Sequence, residues 1–321
     1  MDIFAELMGK PVWMWLSFIG IVLLLLAFDL GVLHRKQREI KIKESLWMSA
    51  FYITIALLFG GWVWYSLGAQ SGKEYLTGFI VEKTLAMDNV FIISLIFTYF
   101  AIPQKYQHRV LFWGILGVIV LRAIMIGLGA TLVSEFSWIL YIFAVFLIIT
   151  GIKMLCVGEK LPNIENNPLL KFLRKNMRVT NELHGNKFTV KLLDKNTGKK
   201  AIYMTPLLVA LILIEFVDLI FAVDSIPAIF TITLDPYIVY TSNIFAILGL
   251  RALYFALAAI IHRFKYLKQA LAWVLIFIGS KTFIADLMGL EKFPASISLS
   301  VTFAIIMVGI AVSVYKTREN K

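Results

Sequence analysis

The chain has 321 residues, 60% of them hydrophobic and 16% charged, and a formal net charge of +11. Soluble domains carry about a quarter charged residues, so this much apolar surface needs a cover other than water and excludes an ordinary soluble globule. The positive excess lies between apolar runs, where membrane topology accounts for it, which removes nucleic acid as the reason for it.

Apolar runs of about 20 residues, long enough to cross a bilayer as helices, recur along the whole chain. The first lies near 12–33. It is preceded by acidic as well as basic residues and has no small-residue cleavage site, so it reads as a retained helix and not a signal peptide. Further spans are expected near 46–68, 76–100, 110–133 and 138–157. A polar segment rich in Lys, Asn and Leu follows at 158–201, with partial helix expected but no separate domain. Spans near 203–231, 238–261, 269–288 and 295–315 complete the chain. The expected fold class is all-α, a polytopic transmembrane bundle of about nine spans in the lipid bilayer. Cys156, the only cysteine, excludes an internal disulfide and any multi-cysteine metal site.

Loop charges alternate. Segments 34–45, 101–109, 158–201, 262–268 and the C-terminal tail hold 23 Lys and Arg, whereas the other side holds only Lys10, Lys73 and Lys292. The positive-inside rule then places the N-terminus outside and the C-terminus in the cytoplasm, as an odd number of spans requires.

Two segments resemble each other. LAMDNV at 85–90 matches FAVDSI at 221–226, and at the same offset of 136 Glu82 matches Asp218. LRA recurs at 121–123 and 250–252, and ITGIK at 149–153 resembles FIGSK at 277–281. Each copy holds three spans, so the two run through the membrane in opposite senses, an arrangement of secondary transporters. The chain divides accordingly into spans one and two (1–75), a first repeat (76–157), a basic cytoplasmic loop (158–201), a second repeat (202–290), and a last span with its tail (291–321).

Six carboxylates fall more than two residues inside the ends of the expected spans: Asp29, Glu82, Asp88, Glu215, Asp218 and Asp224. Each ionised residue near a helix centre costs about 2.5–3.5 kcal/mol on insertion scales, and such acids mark ion or proton paths by default. Basic residues share the spans. Arg122 and Arg251 lie deepest, and with Lys83 and Lys281 they are the candidate structural charge partners. Lys153, near a span end, can snorkel. Glu215 and Asp218, three apart, share a helix face. Pro227 removes a hydrogen bond to the carbonyl of Val223, so a break is expected there, freeing an oxygen ligand beside Asp224. Asn89 offers an amide oxygen. Asp29 either serves transport or pairs with Arg35 beside it.

The ligand types select the ion. His34, His108, His184 and His262 all lie at loops. Carboxylates, an amide oxygen and a freed carbonyl suit hard divalent cations such as Mn²⁺, Mg²⁺ or Ca²⁺ over Zn²⁺ or Cu⁺. No Gly-x-Gly-Asp, His–Glu zinc, nucleotide-loop or Ser–His motif is present, so no enzyme activity is expected.

EKTLAMDNVF (82–91), EFVDLIFAVDSIPAIF (215–230) with the following ITLDP, and SNIFAILGLRALY (242–254) resemble the TerC family of integral membrane proteins, its alkaline-induced Alx-type members in particular. The resemblance covers nearly the full chain. It implies a multi-pass protein of the bacterial inner membrane, from a family linked to tellurium resistance whose characterised members export manganese. Glu82, Asp88, Glu215, Asp218 and Asp224 match the acids of its motifs, with Asn89 and Ser225 beside two of them. The expected function is export of a divalent metal ion, Mn²⁺ first, from the cytoplasm. Asp88, Asp218 and Asp224 would bind it, Glu82, Glu215 and Asn89 would complete the shell, and protons would compete. No permanently bound cofactor is expected, and the sequence names no partner protein. The alternative is a non-metal ion transporter or a membrane scaffold in tellurium or alkaline stress resistance.

Overall fold

A computed structural model describes residues 6–29, 41–136, 138–156, 164–193, 199–260, 267–290 and 293–319. Within its helices, the side chains of residues 87, 88, 224, 251, 258–260, 314 and 317–319 lie outside the description.

The described residues form ten α-helices: α1 (Val12–Phe28), α2 (Ile42–Leu67), α3 (Ala69–Tyr99), α4 (Gln104–Glu135), α5 (Ile139–Cys156), α6 (Pro168–Asn176), α7 (Pro206–Phe230), α8 (Pro236–Ile260), α9 (Leu267–Leu287) and α10 (Ala295–Glu319). Six of them contain stretches long and apolar enough to cross a membrane, at 42–67, 104–135, 139–156, 206–230, 269–287 and 295–313. Val12–Phe28 and Pro236–Leu250 are shorter apolar helices. The architecture is thus an all-α bundle of an integral membrane protein.

Proline and glycine punctuate it. Pro206 and Pro236 begin α7 and α8, where a missing N–H would have had no intrahelical acceptor. Gly68 alone separates α2 from α3, at φ 92°, a left-handed conformation that needs no Cβ. Asn167 caps α6 by accepting from the Leu169 N–H at 2.9 Å.

Three differences from the expectations have physical causes. Helix α3 is 31 residues long and α4 32, each running beyond its apolar run because polar residues such as Gln70, Lys73 and Glu74 continue the helix. Segment 158–201 contributes α6 and, together with the residues up to Met204, an antiparallel hairpin of β3 (Thr189–Leu193) and β4 (Lys200–Met204); β1 (Glu6–Leu7) and β2 (Lys10–Pro11) pair near the N-terminus. The hairpin joins the bundle where the Thr205 hydroxyl donates to the Lys187 carbonyl at 2.7 Å. Helix α7 runs unbroken through Pro227, which sits in its last turn and so leaves too little helix beyond it for a kink.

Helix α3 packs on α8, α4 on α7, and α5 on α9. The α5–α9 crossing is close and reciprocal. A Cβ on Gly151 would lie 2.7 Å from the Ala272 carbonyl and from Ile276 Cγ1. One on Gly279 would lie 2.5 Å from the Ala144 carbonyl and 2.8 Å from Ile148 Cγ1. Small residues let membrane helices approach in this way. At one end the Tyr141 hydroxyl donates to Asp286 Oδ2 at 2.7 Å.

Candidate functional site

Arg122, in the middle of α4, is 1% exposed and organises the site. Its Nη1 donates to Glu82 Oε1 of α3, to Asn243 Oδ1 of α8 at 2.6 Å and to Ser225 Oγ of α7 at 3.2 Å. Its Nη2 and Nε donate to Asp218 Oδ1 and Oδ2 at 3.2 and 3.3 Å, a two-pronged grip that the planar guanidinium suits. Asn89 of α3 adds a donation from Nδ2 to Asp218 Oδ1 at 3.3 Å. Four helices therefore converge on one buried cation.

Among the described side chains the charges do not cancel. Glu82 and Asp218 are two carboxylates sharing one guanidinium. Glu82 Oε2 and Asn89 Oδ1 are buried and have no hydrogen-bond partner among the described residues. Glu215, one turn before Asp218, has both carboxyl oxygens buried without one. It lies against α4 at Gly117, where a Cβ would fall 2.5–2.6 Å from the carboxyl atoms. Gly117 thus makes the room that the Glu215 carboxyl occupies.

A cavity of about 50 Å³ opens beside this cluster. Asn89 and Asp218 face it, and Ile93, Leu111, Ile214 and Tyr254 are among its apolar walls. It is large enough for a few water molecules, each needing at least about 10–15 Å³. Its lining comes from the C-terminal half of α3, the middle and C-terminal part of α8, and the N-terminal halves of α4 and α7, so it runs from Asp218, the partner of Arg122, toward the end of the bundle that bears the hairpin.

Glu82, Asn89, Asp218 and Ser225 are thus brought together, and Glu215 lies beside them. Arg122 is one of the four candidate charge partners, and it binds two acids. Lys83 faces α8 and donates to the Ala246 carbonyl at 3.2 Å, while Lys281 donates to Ser298 Oγ of α10 at 3.3 Å. Asp29 is buried at the C-terminal end of α1. The side chains of Asp88, Asp224 and Arg251, and all of Arg35, lie outside the described residues. Among the described residues no three His, Cys, Asp or Glu side chains are grouped to hold a metal ion. Asn243 is the residue that sequence reasoning passed over. It lies inside SNIFAILGLRALY, and its amide adds a second polar group from α8 to a region already rich in intramembrane charge.

A family described as "Integral membrane protein TerC family" matches residues 67–321. A protein of Rickettsia bellii named "Uncharacterized membrane protein" is 53% identical over 302 residues, covering 94% of this chain and 97% of its own. A Myxococcus xanthus protein, "Uncharacterized membrane protein STKORF319", is 45% identical over 97% of this chain and 94% of its own. A Salmonella typhi protein named "Putative membrane-bound redox modulator Alx" is 42% identical over 97% of both chains. No solved structure matches this chain.

Proposed function

The chain belongs to the TerC family of integral membrane proteins, and we propose that it exports a divalent metal ion, manganese first, from the bacterial cytoplasm. In this reading nine helices span the inner membrane, with the N-terminus outside and the C-terminus in the cytoplasm, and α3–α5 and α7–α9 form an inverted repeat around the site. The chemistry is transport and not bond making.

One observation carries the reading: among the described side chains the acids outnumber the cation that holds them. Glu82 and Asp218 share Arg122, and Glu215 has no donor among the described residues. A buried carboxylate with no counter-charge is costly, so the surplus favours a visiting positive charge. A proton or a hard divalent cation answers that need, and oxygen ligands favour Mn²⁺ or Mg²⁺ over softer ions. Asp218 and Asn89 face the cavity and meet the ion first; Asp88 and Asp224, with Glu82 and Glu215, complete the shell. Arg122 is then the resident counter-ion, and an arriving Mn²⁺ competes with it for Asp218. Proton binding to the same acids couples the return step.

The test is efflux. Vesicles loaded with Mn²⁺ are expected to lose it through the native chain and much more slowly through Asp224→Asn or Asp218→Asn. Equal rates for all three would exclude both residues as ligands. Unchanged cellular manganese in a deletion strain grown with excess manganese would move the reading to a non-metal ion or a scaffold in tellurium or alkaline stress.

A further inference from the structure

We propose that a second half-channel, closed in this structure, leads from Arg122 to the face opposite the hairpin and is gated by Phe230 seated on Gly129. The inference rests on the transporter reading and names the part of the pathway that the open cavity does not supply.

The reciprocity of the packing is the first support. Gly151 meets Ala272 and Ile276 as Gly279 meets Ala144 and Ile148, and each residue stands 128 positions from its counterpart. The same exchange turns the α3–α8 contact into the α7–α4 contact. Two-fold pseudosymmetry with antiparallel elements produces this pattern, and in such folds the two access states exchange the roles of the halves.

The exchange can be applied to the cavity. An offset of 136 relates α3 to α7, and one of 129 relates α4 to α8. Asn89, Val90, Ile93, Leu111, Gly114 and Ile115 line the open half. Their counterparts are Ser225, Ile226, Ile229, Tyr240, Asn243 and Ile244, buried residues none of which lines that cavity. Ser225 and Asn243 are already ligands of Arg122, so the closed half begins at the same guanidinium.

One pair explains why one half is open and the other shut. The counterpart of Phe230 is Ser94. Phe230 is 2% exposed, and a Cβ on Gly129 would lie 2.7 Å from its ring. A phenylalanine ring plugs the half where it stands; in the other, the much smaller Ser94 follows the cavity-lining Ile93 and carries no ring to fill the space. Glycine at 129 is what lets the ring seat that deeply.

Full-length protein carrying Cys156→Ser plus either Ile93→Cys or Ile229→Cys, in right-side-out and inverted vesicles, tests this with a charged, membrane-impermeant methanethiosulfonate. Ile93→Cys is expected to react from the hairpin face. Ile229→Cys is expected to react from the opposite face, slowly in the otherwise unaltered chain and about tenfold faster when Phe230→Ala shifts the balance toward the open half. Gly129→Ala, which pushes the ring out of its seat from the α4 side, is expected to raise the rate as well. Reaction of Ile229→Cys from the hairpin face overturns the proposal. So does a failure of either inserted gate variant to raise its rate, and, where neither inserts, so does no reaction from the opposite face in the otherwise unaltered chain. Labelling needs no metal, so two-sided labelling without manganese efflux removes the metal reading and keeps the gate, and efflux without it does the reverse.

Discussion

Arg122 and Asp218, 96 residues apart in sequence, meet through two hydrogen bonds, Nη2 to Oδ1 at 3.2 Å and Nε to Oδ2 at 3.3 Å. Asp218 also faces the cavity, so one carboxylate both closes the buried ion pair and borders open space.

Removing the cation exposes the acids it serves. Arg122→Ala leaves Glu82 and Asp218 buried without a counter-charge among the described residues, a loss that costs about 3–5 kcal/mol in comparable buried pairs. The expected result is a much lower melting temperature in detergent, partly restored by millimolar Mn²⁺ because an ion that binds the folded state stabilises it. Thermal melts with and without Mn²⁺ measure this, and a melt insensitive to the ion would count against metal competition with Arg122. Arg122→Lys is expected to fall between, since an ammonium cannot reproduce the two-pronged grip.

Glu215 and Glu82 should respond differently to the same change. Both oxygens of Glu215 lack donors among the described residues, so Glu215→Gln breaks no hydrogen bond seen there and should alter stability by about 1 kcal/mol or less, in either direction. Glu82→Gln weakens a buried ion pair and should destabilise by several times as much. Both are expected to slow Mn²⁺ efflux. Melting temperatures set beside efflux rates separate the two, and equal destabilisation would refute the contrast.

Sequence made the long helices legible because a bilayer demands uninterrupted apolar runs, and it exposed the acids because so few residue types belong there. It located Arg122 by the same logic. The partnership with Asn243 was not legible, since the two residues are 121 positions apart and an amide carries no charge to attract notice. The hairpin was hidden for another reason. Its strands, TVKLL and KAIYM, are five residues each and sit in a Lys- and Asn-rich stretch where composition points away from regular structure. Pro227 misled because the rule for proline inside a helix depends on distance from the helix end: with the span expected to close near 231 and the helix ending at Phe230, Pro227 stands in the last turn, where no break follows.

Gly117 should prove inseparable from Glu215. A methyl group there would fall 2.5–2.6 Å from the carboxyl, so Gly117→Ala must displace the side chain or the helix. Overpacking of this kind costs about 1–3 kcal/mol. Glu215→Ala opens the space that the methyl needs, so the double variant is expected to recover most of the loss. A double-mutant cycle on melting free energies should give a coupling of about 1 kcal/mol or more, because the sites touch. Additive effects would mean that the carboxyl does not rest on α4.

The α5–α9 crossing yields a prediction about equality. Gly151 and Gly279 each face a backbone carbonyl of the partner helix, at 2.7 and 2.5 Å from a built Cβ, and backbone cannot step aside as a flexible side chain can. Gly151→Ala and Gly279→Ala should therefore each force the helices apart and cost about 1–3 kcal/mol, and by similar amounts because the two contacts are reciprocal. Paired alanines should cost less than the sum, since one displacement of the helix axis relieves both clashes. Melting temperatures of the two single variants and the double variant decide it. A large inequality between the singles would show that the two ends of the crossing bear unlike loads, and would weaken the symmetry from which the closed half-channel is drawn.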